Sequence, residues 1–442
     1  MSDQRFHQDD DLPETVIVER PEGSGARSGS TTATVRPGRV RDKDRPLHFR
    51  VHATIVLIGL VMLGVLWILS LSPAAVERVY TERIGQWIGR GLAAVSGVFP
   101  FSLFEVLLGA LVVWLLGGFA AGAYHVLRGR RRLLNALACG ILELAATVVI
   151  VLAVFYLAWG VNYARAGLVE RLRWDDTQVS DNDEAAMQAN RAELDCLCQE
   201  LVEATNRTYA EANGCEDLGR PSAPSSLASV DKSIDRAYAR VVQRLGLHPS
   251  VAVSRGPAKG VGVSQVMCYL GISGFYSPWT GEANFNRLAP AMGVPHTIAH
   301  EKAHQRSIGS EDEANFYGYL ACVYSDDPQV RYSGYLFAQR QLLNELARID
   351  KDRATELLGR RYGGVQRDVD AARAFWKRYE GRVSDVSDMV NNVYLKANRV
   401  KGGVLSYGMS AKLLVLFARH NGGSCLVNPE SDLPGLAEDG HV

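Results

Sequence analysis

Pro295-His296-Thr297-Ile298-Ala299-His300-Glu301-Lys302-Ala303-His304 runs on through Gln305-Arg306-Ser307-Ile308-Gly309-Ser310 into Glu311-Asp312-Glu313-Ala314-Asn315, and this stretch decides how the second half of the chain is read. Proline suits the first turn of a helix, so Pro295 opens one. His300 and His304 are four residues apart and project from one helix face on adjacent turns. That is the spacing two imidazoles need to share a tetrahedral zinc. Glu301 cannot be a third ligand from the same helix, but it can reach a water beside the ion and take its proton as general base.

A bare H-E-x-x-H pattern does not decide alone, because an ordinary helix can carry two histidines on one face. The following residues do. Gly309 fits a left-handed helix stop and Ser310 a new N-cap, and Ser310 with Glu313 three residues later reads as a capping box. The second helix therefore doubles back and brings its first turn beside the histidines. Glu311 is the expected third zinc ligand, with Glu313 as the competitor that the capping box already occupies. Asn315, four residues after Glu311, is expected to hydrogen-bond a ligating group. His296 and His304 start about 12 Å apart along the axis, so three histidines cannot converge on one ion and His296 is expected to pack at the cleft edge.

Working outward, the chain of 442 residues carries equal numbers of basic and acidic residues, so nothing global points to nucleic acid. Residues 1–50 are polar and aperiodic and read as a disordered cytoplasmic tail. Residues 51–161 form a three-span transmembrane anchor, with apolar stretches at Val51–Val76, Phe101–Leu127 and Ile141–Val161, each long enough to cross a bilayer. Glu105 and Glu143 are expected near span ends, reaching the headgroups. Arginines between Arg36 and Arg50 and between Arg128 and Arg132 should stay cytoplasmic. The loop from Glu77 to Arg90 and everything after Asn162 then face outward, giving a multi-pass protein of the cell (inner, cytoplasmic) membrane.

Residues 162–430 form the exoplasmic domain and residues 431–442 a flexible C-terminal tail. Helical patterns cover residues 181–211, 230–245, 295–306, 311–325, 332–348, 369–379, 383–396 and 409–419. Val251–Ser254 and Val266–Leu270 read as short strands, and Phe275–Phe285 as strand–turn–strand. The fold class is thus an α-helical three-span anchor followed by a mostly helical α+β domain. Thr280–Asn286 could supply the edge strand of a cleft, where an extended substrate pairs by main-chain hydrogen bonds, or a plain core strand. Six cysteines (Cys196, Cys198, Cys215, Cys268, Cys322 and Cys425) lie in the outer domain and allow disulfides, with Cys196 or Cys198 to Cys215 the closest pair in sequence. Hydrolysis also needs a donor for the oxyanion, and Tyr407 or Tyr394 is the candidate.

On the motifs Gly274–Asn286, His300–Gly309, Glu311–Cys322 and Val393–Gly408, the chain resembles an uncharacterised family of bacterial membrane proteins with three N-terminal spans and a zincin-like domain. It is also similar to the wider gluzincins, in which a glutamate opens an E-x-x-A-D or E-x-x-A-N motif on the helix after H-E-x-x-H. Carried onto this chain, that motif is Glu311 to Asn315, although the gap from His304 is shorter than in thermolysin-like enzymes. The resemblance implies a zincin-like fold and peptidase activity.

The functional expectation is a membrane-anchored zinc metallopeptidase. His300, His304 and Glu311 hold the zinc ion, Glu301 is the general base, and a peptide or protein is the substrate. The alternative is a non-catalytic exoplasmic module that binds a peptide or cell-wall fragment, with zinc structural and a fourth protein ligand drawn from Glu313, His296 or a cysteine. An intramembrane protease is disfavoured, because Lys302, Gln305, Arg306 and Glu311 flank the motif where apolar residues would be needed.

Overall fold

A computed structural model describes residues 47–129, 133–174, 184–223, 226–381 and 407–427. The two expected tails lie outside these, apart from residues 47–50, which are helical, and so does the expected helix at 383–396. Three helices are long and apolar enough to span a bilayer: α1 (Leu47–Leu69), α4 (Leu103–Leu127) and α5 (Leu133–Ala158). At most 11% of each span's most apolar window is buried within the protein, so lipid must cover these side chains.

Between the first two spans the chain forms α2 (Pro73–Ala75), a π-helical stretch (Val76–Ile84) and α3 (Gly85–Gly97). This is not a free loop, as the charge pattern suggested. Glu77 pairs with Arg165, Gln86 with Arg255, and Thr81 Oγ1 donates to Asn162 Oδ1 at 3.0 Å. One of the two glutamates misses its expected place. Glu105 lies at the span start as expected, in the first turn of α4, and accepts from the backbone N–H groups of Gly262 and Val263 at 3.0 and 2.8 Å. Because α5 begins at Leu133, earlier than its apolar run suggests, Glu143 sits almost three turns inside the helix and faces Gly118 of α4.

Beyond the spans come α6 (Leu168–Arg171), α7 (Glu184–Asn213), α8 (Leu227–Leu245), α9 (Ser264–Tyr269), α10 (Val294–Gln305), α11 (Glu311–Val323), α12 (Pro328–Ile349), α13 (Lys351–Leu358), α14 (Gly363–Lys377) and α15 (Tyr407–His420). One small sheet accompanies them, with β1 (Lys259–Gly260), β2 (Gly274–Ser277) and β3 (Glu282–Phe285) in the order β1-β3-β2. The domain is therefore mostly helical with a three-stranded sheet. β3 is the fully buried central strand, so the edge strand is β2 rather than the stretch from Thr280. The apolar side chains of α7, α8, α11 and α12 form the main core around Leu201, Ile234, Tyr319 and Leu342.

Two expected strands are absent. Pro249–Val251 is a 3-10 turn, and residues 264–269 are helical with Val266 and Tyr269 exposed. The apolar run from Val266 to Leu270 reads as a strand, but the segment is helical, and just before it the Glu105 carboxylate holds the N–H groups of Gly262 and Val263. No disulfide forms either, since all seven cysteines are free. Helix α7 runs unbroken to Asn213, which puts Cys198 about 22 Å short of its end and out of reach of Cys215.

Candidate metal centre

Helix α10 carries both histidines and is buried along nearly its whole length between the sheet, α8 and α11. Tyr238 of α8 donates to the carbonyl of Ala299 at 2.6 Å, and Gln305 Nε2 donates to the carbonyl of Gly281 at 2.9 Å. Two cations hold its far face. Lys302 and Arg306 are fully buried and pair with Asp235 at 2.8 and 2.7 Å, while Lys302 also meets Asp231 at 2.9 Å. These charges set the motif apart from an apolar span; they are interior, and the burial is tolerated because each charge has a counter-charge. The motif nonetheless belongs to none of the three apolar helices.

The turn after α10 brings Glu311 back to the histidines. Ser307, not Gly309, takes the left-handed backbone conformation, with φ of 68°. Gly309 serves close approach instead, since a Cβ there would lie 3.0 Å from the backbone of Asn162. Ser310 caps α11 by accepting from the N–H of Glu313. The reciprocal half of the capping box is missing. The Glu313 carboxylate accepts from Leu168 N at 2.7 Å and pairs with Arg171 at 2.5 Å, on the side of α11 away from the histidines. Where α10 and α11 cross, Gly318 makes the approach possible: a Cβ would lie 3.1 Å from His300 N.

The structure gathers His300, His304 and Glu311, with one donor atom from each within 4.8 Å of the others. His300 Nε2 is 3.1 Å from Glu311 Oε2 and 3.1 Å from His304 Nε2, and His304 Nε2 is 3.6 Å from Glu311 Oε1. A tetrahedral zinc with bonds of about 2.0–2.1 Å has donor–donor edges of about 3.3–3.4 Å, and these separations, in which the two histidines approach different oxygens of Glu311, are close to that scale. His304 Nδ1 donates to the carbonyl of Ile308 at 2.7 Å, which fixes the tautomer with the Nε2 lone pair facing the triangle. His300 Nδ1 is buried without a partner. Two imidazoles and a carboxylate are a donor set that could hold a divalent metal ion.

Electrostatics at the triangle follow from burial and mutual attraction. Burial opposes charge on Glu311, yet His304 and His300 outweigh it and hold this carboxyl far below its ordinary value. His304 is pushed up to about 9 despite its burial, because the Glu311 carboxylate stands beside it. Glu301, buried next to the triangle, goes the other way. Desolvation raises its carboxyl to about 7, the range in which a general base both accepts and returns a proton. Its Oε1 lies 2.8 Å from where a Cβ of Gly274 would be, so the bare first residue of β2 gives this carboxylate its room.

Other expected site residues fall elsewhere. Asn315 donates to Ser410 of α15 at 3.3 Å and touches no ligating side chain. His296 stacks on Phe337 with ring centroids 3.7 Å apart, and burial pushes its imidazole down to about 3. The backbone of Tyr407 begins α15, but its side chain and all of Tyr394 lie outside the described residues. Sequence reasoning missed Trp159, whose Nε1 donates to the carbonyl of His304 at 2.8 Å, and Gly274. Nothing in the pattern links residues 145 positions apart, and a tryptophan after an apolar run reads only as an interfacial anchor.

Fold and site together define a membrane-spanning protein whose attached domain holds a His-His-Glu cluster of metal-site dimensions. The chain belongs to the DUF3810 family, proteins of unknown function, whose family model matches residues 80–415. No curated protein and no solved structure matches it.

Proposed function

We propose that the protein is a zinc-dependent metallopeptidase of the H-E-x-x-H class, anchored in the cell membrane with its domain on the outer side. The observation that carries this reading is the cluster of His300, His304 and Glu311 with the buried carboxylate of Glu301 at its flank. A zinc ion held there would act as a Lewis acid toward a carbonyl and make water a nucleophile near neutral pH. Glu301 takes the proton of the attacking water and returns it to the leaving amine. Ile308 and Trp159 keep His304 oriented through its ring and its backbone.

The reading as a binding module with a structural ion needs a fourth protein ligand. Among the described residues, Glu313 is committed to Arg171, His296 stacks on Phe337, and Cys268 accepts from Asn286 Nδ2 at 3.3 Å. Orientation rests on the arginines before α1 and between α4 and α5, which hold those segments on the cytoplasmic side.

The test is metal content and peptide hydrolysis of the full chain in detergent or nanodiscs, for wild type, Glu301→Gln, Glu311→Ala and Glu313→Ala. Near-stoichiometric zinc in the wild type is expected, lost in Glu311→Ala and kept in Glu313→Ala. Glu301→Gln should keep zinc and lose hydrolysis. A folded wild type that binds no zinc overturns the proposal.

A further inference from the structure

The candidate site is built against the membrane-spanning helices. His304 accepts from Trp159, which directly follows Ala158 at the end of α5, and the two rings lie 5.6 Å apart. The turn between β2 and β3 reaches deeper. Trp279 Nε1 donates to the carbonyl of Val151 at 3.2 Å, about 10 Å back along α5 from its end. Phe104 in the first turn of α4 meets both Phe275 of β2 and Trp279, with ring centroids 5.1 and 6.1 Å apart.

Helix α3 covers the sheet from the same side. Its inner face, at Gly89, Ala93 and Ser96, touches Arg255, Gly281 and Lys259. Its outer face carries Trp87, Val95 and Val98, exposed by 78, 63 and 78%. A helix with such an apolar outer face beside the end of a span lies in the headgroup layer. That layer is only about 5–7 Å thick on each side of the hydrocarbon. His304 is one ring contact, 5.6 Å, from Trp159 at the end of this candidate span, which brings the site toward that layer.

Strand β2 connects this layer to Glu301. It is an edge strand, and among the described residues no strand pairs with its other side. It begins at Gly274 beside the Glu301 carboxylate and ends at Ser277, two residues before Trp279, which bonds to the third span. Its length is about 10 Å. A polypeptide adding to the free edge of β2 would run from the bilayer surface to Glu301 in three or four residues.

We propose, resting on the peptidase reading, that the substrates are polypeptides anchored in the same bilayer, cut in an extended segment within a few residues of where they leave it. The test reconstitutes the full-length, zinc-loaded protein in liposomes with single-span reporters. A randomised segment of about 12 residues, about 40 Å when extended, is placed directly after the span, after a flexible spacer of about 30 residues, or on no span at all. Products are sequenced by mass spectrometry, with Glu301→Gln as control. The proposal expects cuts within about five residues of the span, at least ten times faster than in the spaced or free segments. The spaced reporter separates proximity from mere concentration at the membrane. Equal cutting of spaced or free segments, abolished by Glu301→Gln, overturns the proposal and leaves the peptidase reading standing. No cutting of any reporter by the loaded protein overturns both.

Discussion

The indole of Trp159, the first residue past the third span, donates to the backbone carbonyl of His304 at 2.8 Å. Few bonds in the chain say more about its organisation, because one partner closes a membrane helix and the other belongs to the candidate metal triangle. The spans and the domain share hydrogen bonds, buried charges and aromatic packing, and the following predictions depend on that.

Residues 165–442 should not fold as an independent soluble unit. Removing the preceding chain strips Lys259 of its acceptors Ser96 and Phe101, Glu282 of the N–H groups of Leu103 and Phe104, and Gly262 and Val263 of Glu105. The truncated protein is expected to be protease-sensitive and to lose cooperative thermal unfolding under conditions where the full chain in detergent shows both.

Glu282→Gln should destabilise the full chain by about 3–5 kcal/mol, the cost of leaving a buried charge without its partner. Lys259 Nζ is 2.6 Å from this carboxylate, and both side chains are nearly inaccessible. Adding Lys259→Met should recover a large part of the loss, because the double variant buries no charge. Denaturant titration of the single and double variants checks this.

On the proposed metallopeptidase reading, Gly274→Ala should keep the metal and lose most hydrolysis. The new Cβ would lie 2.8 Å from Glu301 Oε1 and 3.0 Å from the carbonyl of Asn284, so the carboxylate must move while the ligands need not. A displacement of about 1 Å in a reacting group costs about a hundredfold in rate. Zinc content beside turnover of the same preparation distinguishes this from general unfolding.

Stability should fall on the acid side through Asp235. Burial would raise its carboxyl, but Lys302 and Arg306 outweigh burial and hold it below the ordinary value. A depressed folded-state pKa contributes stability that is complete above the unfolded value of about 4 and is lost as pH falls through the folded one. The unfolding temperature should therefore change little from this group between about pH 7 and 5 and drop below about pH 4. Asp235→Asn should unfold at a lower temperature already at pH 7, since Arg306 loses its ion-pair partner, and should show a shallower acid slope.

Much of this arrangement was legible in advance. The three spans follow from long apolar runs that no aqueous fold would leave exposed, and the two helices of the site from Pro295, Ser310 and the spacing between them. In the sequence Glu313 is set aside because a capping box would occupy it; Leu168 and Arg171 hold it instead, and the structure brings Glu311 beside the histidines. Short elements were harder. The short apolar run from Val266 to Leu270 reads as a strand and is helical, and the turn that leads into it is held by Glu105, about 160 positions earlier. The burial of Lys302 and Arg306 was not legible, because the aspartates that neutralise them lie on α8, about 70 positions away.

The sequence by itself determined what depends on neighbours along the chain: which segments are apolar enough to need lipid, where the helices near the site begin, and that two imidazoles share one helix face. Only the tertiary structure decided what depends on burial and on partners distant in sequence. It joined the spans to the domain, put bare Gly274 under Glu301, and set the triangle beside Trp159 at the end of a membrane helix. The reason is physical. Local periodicity reports the side of an element that avoids water, whereas a buried charge or an unfilled Cβ position takes its meaning from whatever the rest of the chain folds against it.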